Sequence, residues 1–345
     1  RCRYCYLGSE HDSNHDMECR RPMTKKQYET LIHMLIKQKV ESNSSPVFTI
    51  ILYGGGEPTV DEDFFRYCIT YAKEYGLKNG IIVRFFMTTN GFYNNLSDFI
   101  IENIEYITFS MDGSEDVHNH HRPAIGGTNS FQKVFNNAKT LYQAKFPMTF
   151  RITVSDYSLK RWNEIMEFYI ENFPGCNLLI GPMVAIGHGS DSELKVPNKA
   201  EFTEKIYDSF LYTRNKLNLI ISSSTGVDNP RYHYCGASRG DVYIISSDGS
   251  VNGCAHAGAD ERFNHGKFDF ETGIMQWNKE VIKKSFSLNV LNYKECQNCF
   301  GKYICAGGCP DLRYTNAGVN SCTLNRNIIE HRLNERIYGV NSSFM

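Results

Sequence analysis

The chain has 345 residues, 41% of them apolar, enough for a sizeable core in one large domain with an appendage or in two domains. Its 37 basic and 38 acidic residues nearly cancel, which leaves no electrostatic case for nucleic acid or an anionic membrane surface. No run of about 18 apolar residues marks a membrane span. Twelve cysteines are many for this length. Disulfide scaffolds belong to small secreted chains that lack a large core, so metal ligation in a reducing compartment is the better reading.

The first element is a cysteine pair, Cys2-x2-Cys5, with Tyr4 just before the second cysteine. Residue 1 already stands inside this pattern and no Met begins the sequence, so part of the protein is expected upstream. The lack of a signal peptide therefore carries no information. Short β-rich apolar runs follow at Val47–Leu52, Ile81–Thr88, Tyr106–Met111, Met148–Val154 and Asn177–Val184. Helical patterns separate them at Thr24–Gln38, Asp61–Tyr75, Asn95–Glu102, Ser130–Gln143 and Leu159–Asn172, with a further one at Asn198–Lys216. This alternation predicts βαβ units in a parallel sheet or barrel, whose chemistry sits at the C-terminal ends of the strands.

The texture changes after about Asn229. Strand alternation ends, and cysteine, glycine and turn residues rise. A hairpin is predicted from Val242–Ser246 and Val251–Cys254 around Ser247-Asp248-Gly249. Ala306–Pro310 is a tight Gly-rich stretch, and Leu324–Ile337 reads as a closing helix. The predicted division is residues 1–230 and 231–345.

Seven cysteines fall in the second part. Cys235 is followed by Gly249 and Cys254 (G-x4-C), then by Cys296-x2-Cys299-x5-Cys305-x3-Cys309, and last by Cys322. Thiolates at such spacing hold soft metals, Fe–S clusters or zinc. In the first part, three strand ends carry polar and glycine-rich segments: Gly55-Gly56-Glu57-Pro58, Thr88-Thr89-Asn90-Gly91 and Ser110-Met111-Asp112-Gly113. Glycines let a backbone approach a ligand closely, and carbonyls with Glu57 can accept hydrogen bonds from an ammonium group. Arg151, on the next strand, offers a two-pronged donor for a carboxylate. His118 and Arg122 form an H-x3-R.

Taken together these features resemble the radical S-adenosylmethionine (SAM) enzymes, over nearly the whole chain. Cys2-Arg3-Tyr4-Cys5 resembles the end of their C-x3-C-x2-C motif, whose first cysteine would fall upstream of Arg1. Gly55–Pro58 resembles the GGEP segment that receives the SAM methionyl amine, and the two later strand ends resemble segments near the SAM ribose and carboxylate. The seven-cysteine pattern resembles the SPASM domain, with thirteen residues between Cys235 and Gly249.

The resemblance implies an α/β fold: a partial, N-terminally truncated (β/α)6 TIM-like barrel, then a small Cys-rich SPASM domain with a β-hairpin and auxiliary Fe–S clusters. It implies SAM and three [4Fe–4S] clusters. Cys2 and Cys5 would serve the SAM-binding one; Cys296, Cys299, Cys305 and Cys322 a second; and Cys235, Cys254 and Cys309 a third. The SAM site would draw on Tyr4, Gly55, Gly56, Glu57, Pro58, Thr88, Asn90, Ser110, Asp112 and Arg151. The third set lacks an eighth cysteine: it is open at one iron, binding a substrate thiol, or takes a ligand such as Asp241, Cys19 or Cys176. Cys68 reads more simply as a core residue.

The implied reaction is peptide or protein modification through a 5′-deoxyadenosyl radical. One substrate class is a ribosomally made peptide receiving a thioether or other cross-link; the other is a sulfatase whose active-site residue becomes formylglycine. Sulfatase maturases carry an Asp after the G-x4-C cysteine, whereas Cys254 is followed by Ala255 and His256. That favours the peptide; His256 is either a substitute for the missing Asp as base or simply a loop histidine. A non-catalytic Fe–S or zinc protein is the remaining alternative. The expected partners are the peptide or protein substrate and a one-electron donor such as flavodoxin or ferredoxin, in the cytoplasm of a cell with little oxygen.

Overall fold

Six parallel strands form one sheet in sequence order: β1 (Val47–Leu52), β2 (Ile82–Thr89), β3 (Tyr106–Ser110), β4 (Met148–Val154), β5 (Asn177–Pro182) and β6 (Asn218–Ile221). The computed structural model describes residues 2–6, 22–213, 216–221, 229–255, 260–313 and 316–338. Side-chain alternation decides what each sheet face does. Along β2, Val83, Phe85, Met87 and Thr89 are buried, whereas Ile82 and Arg84 are exposed and Thr88 is half-buried. Ile107 and Phe109 of β3, Phe150, Ile152 and Val154 of β4, and Leu178 and Ile180 of β5 continue the buried face.

Helices Glu62–Lys78, Ser97–Asn103, Phe131–Gln143 and Trp162–Asn172 supply the apolar stripes that cover that face, in one core with Phe65, Ile69, Ile100, Leu141, Ile165 and Tyr169. Burial of each such large side chain stabilises the fold by about 1.5–3 kcal/mol. The opposite face stays open: Ile51 is 64% exposed and Ile220 45%. The site therefore belongs to the open face and the strand ends above it.

The last third builds a second sheet, antiparallel and four-stranded: β7 (Ile244–Ile245), β8 (Ser250–Asn252), β9 (Asn264–Asp269) and β10 (Ile274–Trp277), in that order. Its turn before β8 depends on Gly249. That residue has φ +83°, and a Cβ there would lie 2.2 Å from the Phe268 carbonyl oxygen, so any side chain is excluded.

Its core is small, Val251 and Phe268 packed on Leu31 of the helix Lys25–Glu41. That helix starts at a Thr24 capping box completed by Gln27 and sends Tyr28, Ile32 and Ile36 into the first core. The C-terminal helix Asn316–Tyr338 also reaches back, with Leu324 and Ile328 in the first core and the Ile328 carbonyl accepting from the Tyr207 hydroxyl at 2.9 Å. Residues on both sides of position 230 thus share each core. Among the described residues no helix is long and apolar enough to cross a membrane.

The predicted strands and main helices match to within a few residues, apart from the closing helix, which begins at Asn316 rather than Leu324, and four further departures. β6 comes from Asn218–Ile221, too short a run to declare itself, and the preceding helix ends at Tyr212. The predicted Leu159–Asn172 helix is two, broken at Arg161. Glu115–His121 is helical although it is mostly charged residues and histidines. Strand structure does not stop at residue 229: β9 and β10 pair through residues 264–277, where Gly266 and Gly273 hide the pattern.

Candidate functional site

Three strand-end loops hold the N-terminal cysteines. After β1, the Gly54 carbonyl accepts from the Tyr6 hydroxyl at 3.4 Å. After β5, the Gly189 N–H donates to the Cys5 carbonyl at 3.3 Å. Gly187 presses so close that a Cβ would lie 2.3 Å from the Tyr6 carbonyl oxygen. After β3, the His121 carbonyl accepts from the Arg3 N–H at 2.9 Å, and Arg122 Nη1 donates to Cys2 Sγ at 3.6 Å. Glycines 187 and 189 were not legible as site residues, because their purpose is to let another loop approach.

Asp112 is the hub beneath that loop. Its Oδ2 accepts from the Tyr4 hydroxyl at 2.5 Å and from Arg122 Nε at 2.8 Å, with His121 Nδ1 at 3.3 Å; its Oδ1 accepts from the Thr153 N–H at 3.0 Å. Burial by itself would raise this carboxyl, but Arg122, then His121 and His118, hold it well below the usual carboxylate range. Tyr4 is half-buried, and burial of its phenol pushes that group well up, so it remains a donor. The H-x3-R residues are buried parts of this network rather than a solvated loop. As placed, Asp112 and Tyr4 bond to each other and position the cysteine loop.

Glu57 ties the first strand end to the second. Its Oε1 accepts from the Thr59 N–H (3.2 Å), the Thr59 hydroxyl (2.7 Å) and the Thr89 hydroxyl (2.8 Å), and its Oε2 from the Asn90 N–H (2.6 Å). Burial pushes the carboxyl up and these four donors oppose it. Thr89 therefore carries the contact, while Thr88, one residue earlier, lies on the open face with the other half-buried residues. Gly55 and Gly56 are exposed, and a Cβ at either would meet nothing within 4 Å. Pro58 is half-buried beside them. Ser110 is register-paired with Arg151 across β3 and β4, and Arg151 acts electrostatically on Tyr6. The open space before Gly55–Gly56 and the cysteine loop opposite it fit a ligand bridging the two.

The C-terminal cysteines form two groups. Burial first, and then Cys322 and Cys299, raise the Cys296 thiol; burial, Cys322, Cys296 and Cys299 raise that of Cys305. Four sulfurs thus lie near one another, yet among the described residues no three His, Cys, Asp or Glu groups converge on one ion. In the other group, burial pushes Cys309 up to about 12, with Cys254 adding to it. Cys235 opens the short helix Gly236–Arg239 as its N-cap.

Of the other candidates, Asp241 is engaged by Arg239 Nε at 2.7 Å. Cys176 and Cys68 are buried in the first core, each pushed up to about 12 by burial. Cys176 stands just before β5, at the end of the sheet opposite the strand-end loops. His256 and Cys19 lie outside the described residues.

Residues 1–169 match the family model described as the Radical SAM superfamily, and the chain is a radical SAM enzyme. It is 24% identical over 330 residues to a cysteine-type anaerobic sulfatase-maturating enzyme of Clostridium novyi (strain NT), covering 90% of this chain and 84% of that protein. In fold it is similar to the structure titled Native anSMEcpe with bound AdoMet, at TM-score 0.69 and 19% identity over 98% of this chain and 95% of that one. Native anSMEcpe with bound AdoMet and Kp18Cys peptide gives TM-score 0.70 and 18% identity, over 99% and 96%.

Proposed function

We propose that the chain modifies a peptide or protein substrate by SAM-dependent radical chemistry, and that the substrate is a ribosomally made peptide. The observation that carries the reading is the meeting of three strand-end segments with the Cys2–Cys5 loop over the open sheet face. In it, Cys2 and Cys5 would hold the SAM-binding cluster with a further cysteine. Gly55, Gly56 and Pro58 would line the methionyl end, with Glu57 fixing their position through Thr89 and Asn90. Thr88, Ser110 and Arg151, on the open face, would orient the rest of SAM. Bound there, the cluster and SAM supply a carbon radical able to take a hydrogen atom from the substrate. The chain's part is to fix SAM against that substrate and keep water from the radical.

The C-terminal cysteines are read as a SPASM domain, residues 231–345, with two auxiliary clusters. The first takes Cys296, Cys299, Cys305 and Cys322; the second takes Cys235, Cys254 and Cys309. Soft thiolates are the natural ligands of such iron. The electron donor would be a small one-electron protein, and the compartment the cytoplasm.

A second reading, formylglycine formation on a sulfatase, is favoured by the curated relatives. Ala255 in place of an Asp favours the cross-linking one. Anaerobic reconstitution with SAM and two peptides, one sulfatase-derived and one Cys-rich, separates them by mass spectrometry. The Cys-rich peptide is expected to lose two hydrogens without losing sulfur. Aldehyde in the sulfatase peptide alone would establish the second reading. No SAM-dependent change in either peptide, with the clusters assembled, would count against both.

A further inference from the structure

Three of the four cysteines in the Cys296 group carry a side-chain donor on sulfur. Arg313 Nη2 donates to Cys296 Sγ at 3.1 Å, and Asn325 Nδ2 donates to Cys305 Sγ at 3.2 Å. Arg326 donates to Cys299 and also acts electrostatically on Cys322. Asn325 and Arg326 are neighbours on the C-terminal helix, so one turn serves two sulfurs.

Arg313 is held in place from several sides. Its guanidinium stacks 3.9 Å over the Tyr293 ring, its Nε donates to the Gly307 carbonyl at 2.5 Å, and Nη1 lies 3.8 Å from Glu295. The side chain is only 18% exposed. A donor fixed this way does not need to be ordered when the charge on sulfur changes.

The Cys309 group is surrounded differently. Backbone amides of Asp311 and Leu312 donate to Cys309, and the Asp311 carboxylate acts on it with like charge. The nearby cation, Arg262, is turned to Asp260, with Nε at 2.8 Å from Oδ2, and lies 3.7 Å from Asp311. One group of thiolates is thus faced by two guanidinium groups and a side-chain amide, whereas Cys309 is faced by two backbone amides and a carboxylate.

Hydrogen bonds and positive charge at a thiolate draw electron density from the iron it ligates. They stabilise the reduced state and make the reduction potential more positive. We infer that Arg313, Asn325 and Arg326 are potential-setting residues, which hold the cluster of Cys296, Cys299, Cys305 and Cys322 at a more positive potential than that of Cys235, Cys254 and Cys309. The inference rests on the cluster reading proposed above. It makes the four-cysteine cluster the favoured resting place for an added electron.

The test is a redox titration followed by electron paramagnetic resonance on the full chain, reconstituted anaerobically. Arg313→Gln and Arg326→Gln are each expected to favour oxidation of one cluster about tenfold, a midpoint lower by about 59 mV for one electron, with the other midpoints unmoved. Arg326→Lys, which keeps the charge, should recover most of the shift. Arg326 is exposed, so its variants keep the question answerable if Arg313→Gln fails to fold. Unmoved midpoints in both glutamine variants with iron and sulfide intact, or equal shifts in every cluster, overturn the inference alone. Wild-type protein that takes up zinc and no labile sulfide overturns the cluster reading, and the inference with it.

Discussion

The parallel sheet and the cysteine-rich region solve stability by different means. The first buries one sheet face under four helices, and its core holds nearly all of the large buried side chains, among them Trp162, Tyr169, Phe85, Phe109 and Phe150. The second has Val251 and Phe268 on Leu31, a residue supplied by the other region. A core that thin contributes little burial by itself, the situation in which small domains rely on a staple or a metal. The same contrast runs through the sites. Hydrogen bonds of the Glu57 and Asp112 carboxylates, to side chains and to backbone amides, build the barrel site in the protein itself. The C-terminal sulfurs would repel one another when ionised, and under the reading proposed above a metal centre between them makes the arrangement favourable.

The largest effect should come from removing that centre. Cys305→Ala with Cys322→Ala is expected to release residues 294–313 and the four-stranded sheet from hydrogen-exchange protection while β1–β5 stay protected. Loss of protection across both sheets would erase the distinction between the two regions.

Next is the hub of the barrel. Asp112→Ala leaves the Arg122 guanidinium buried without its partner, which costs about 3–5 kcal/mol and frees the Tyr4 hydroxyl. Denaturant titration of the variant measures it, and a cost under about 1 kcal/mol would mean that the network is not structural.

Acid should act through His118, whose pKa is lowered to about 4 by burial and then by the Arg122 charge. Between that value and the ordinary histidine pKa of about 6.5, the unfolded chain binds a proton that the folded one refuses. Stability therefore falls as pH drops through this window, by on the order of 3 kcal/mol in total. Denaturation at several pH values should show the slope in the wild type and lose it in His118→Gln.

The smallest effect sharpens the comparison at the ligand. Glu57→Ala removes the acceptor of four hydrogen bonds that fixes Gly55–Pro58, and SAM binding is expected to weaken by about 1–3 kcal/mol. Equilibrium dialysis against SAM measures this without turnover. Unchanged affinity would place SAM elsewhere on the open face.

Sequence was a good guide where one residue type answers to one local need. Alternating Val83, Phe85 and Met87 read as a half-buried strand because burial follows the pleat. Thr24 and Asp61 read as helix starts because their side chains cap the first turn. The cysteines read as a pattern because their spacing is the signal. Sequence was a poor guide where the need is set by a partner far along the chain. Asp112 looked like a ligand contact at a strand end, yet its surroundings come from Tyr4, Arg122 and Thr153. Nothing in the sequence marked Gly187, and its close approach to Tyr6 emerges only in three dimensions. β9 was hidden because Gly266 and polar neighbours interrupt its hydropathy pattern, and β10 because it is only four residues long.

The helix Lys25–Glu41 has partners on two sides, and they are not made at the same time. Val251 lies 220 residues beyond Leu31, which at ribosomal speeds is roughly 10–40 s of synthesis. Throughout that interval Leu31, Met34 and Leu35 have no sheet to rest on, although the first core can already have claimed Ile32 and Ile36. The early helix is thus an adhesive strip whose cover arrives last.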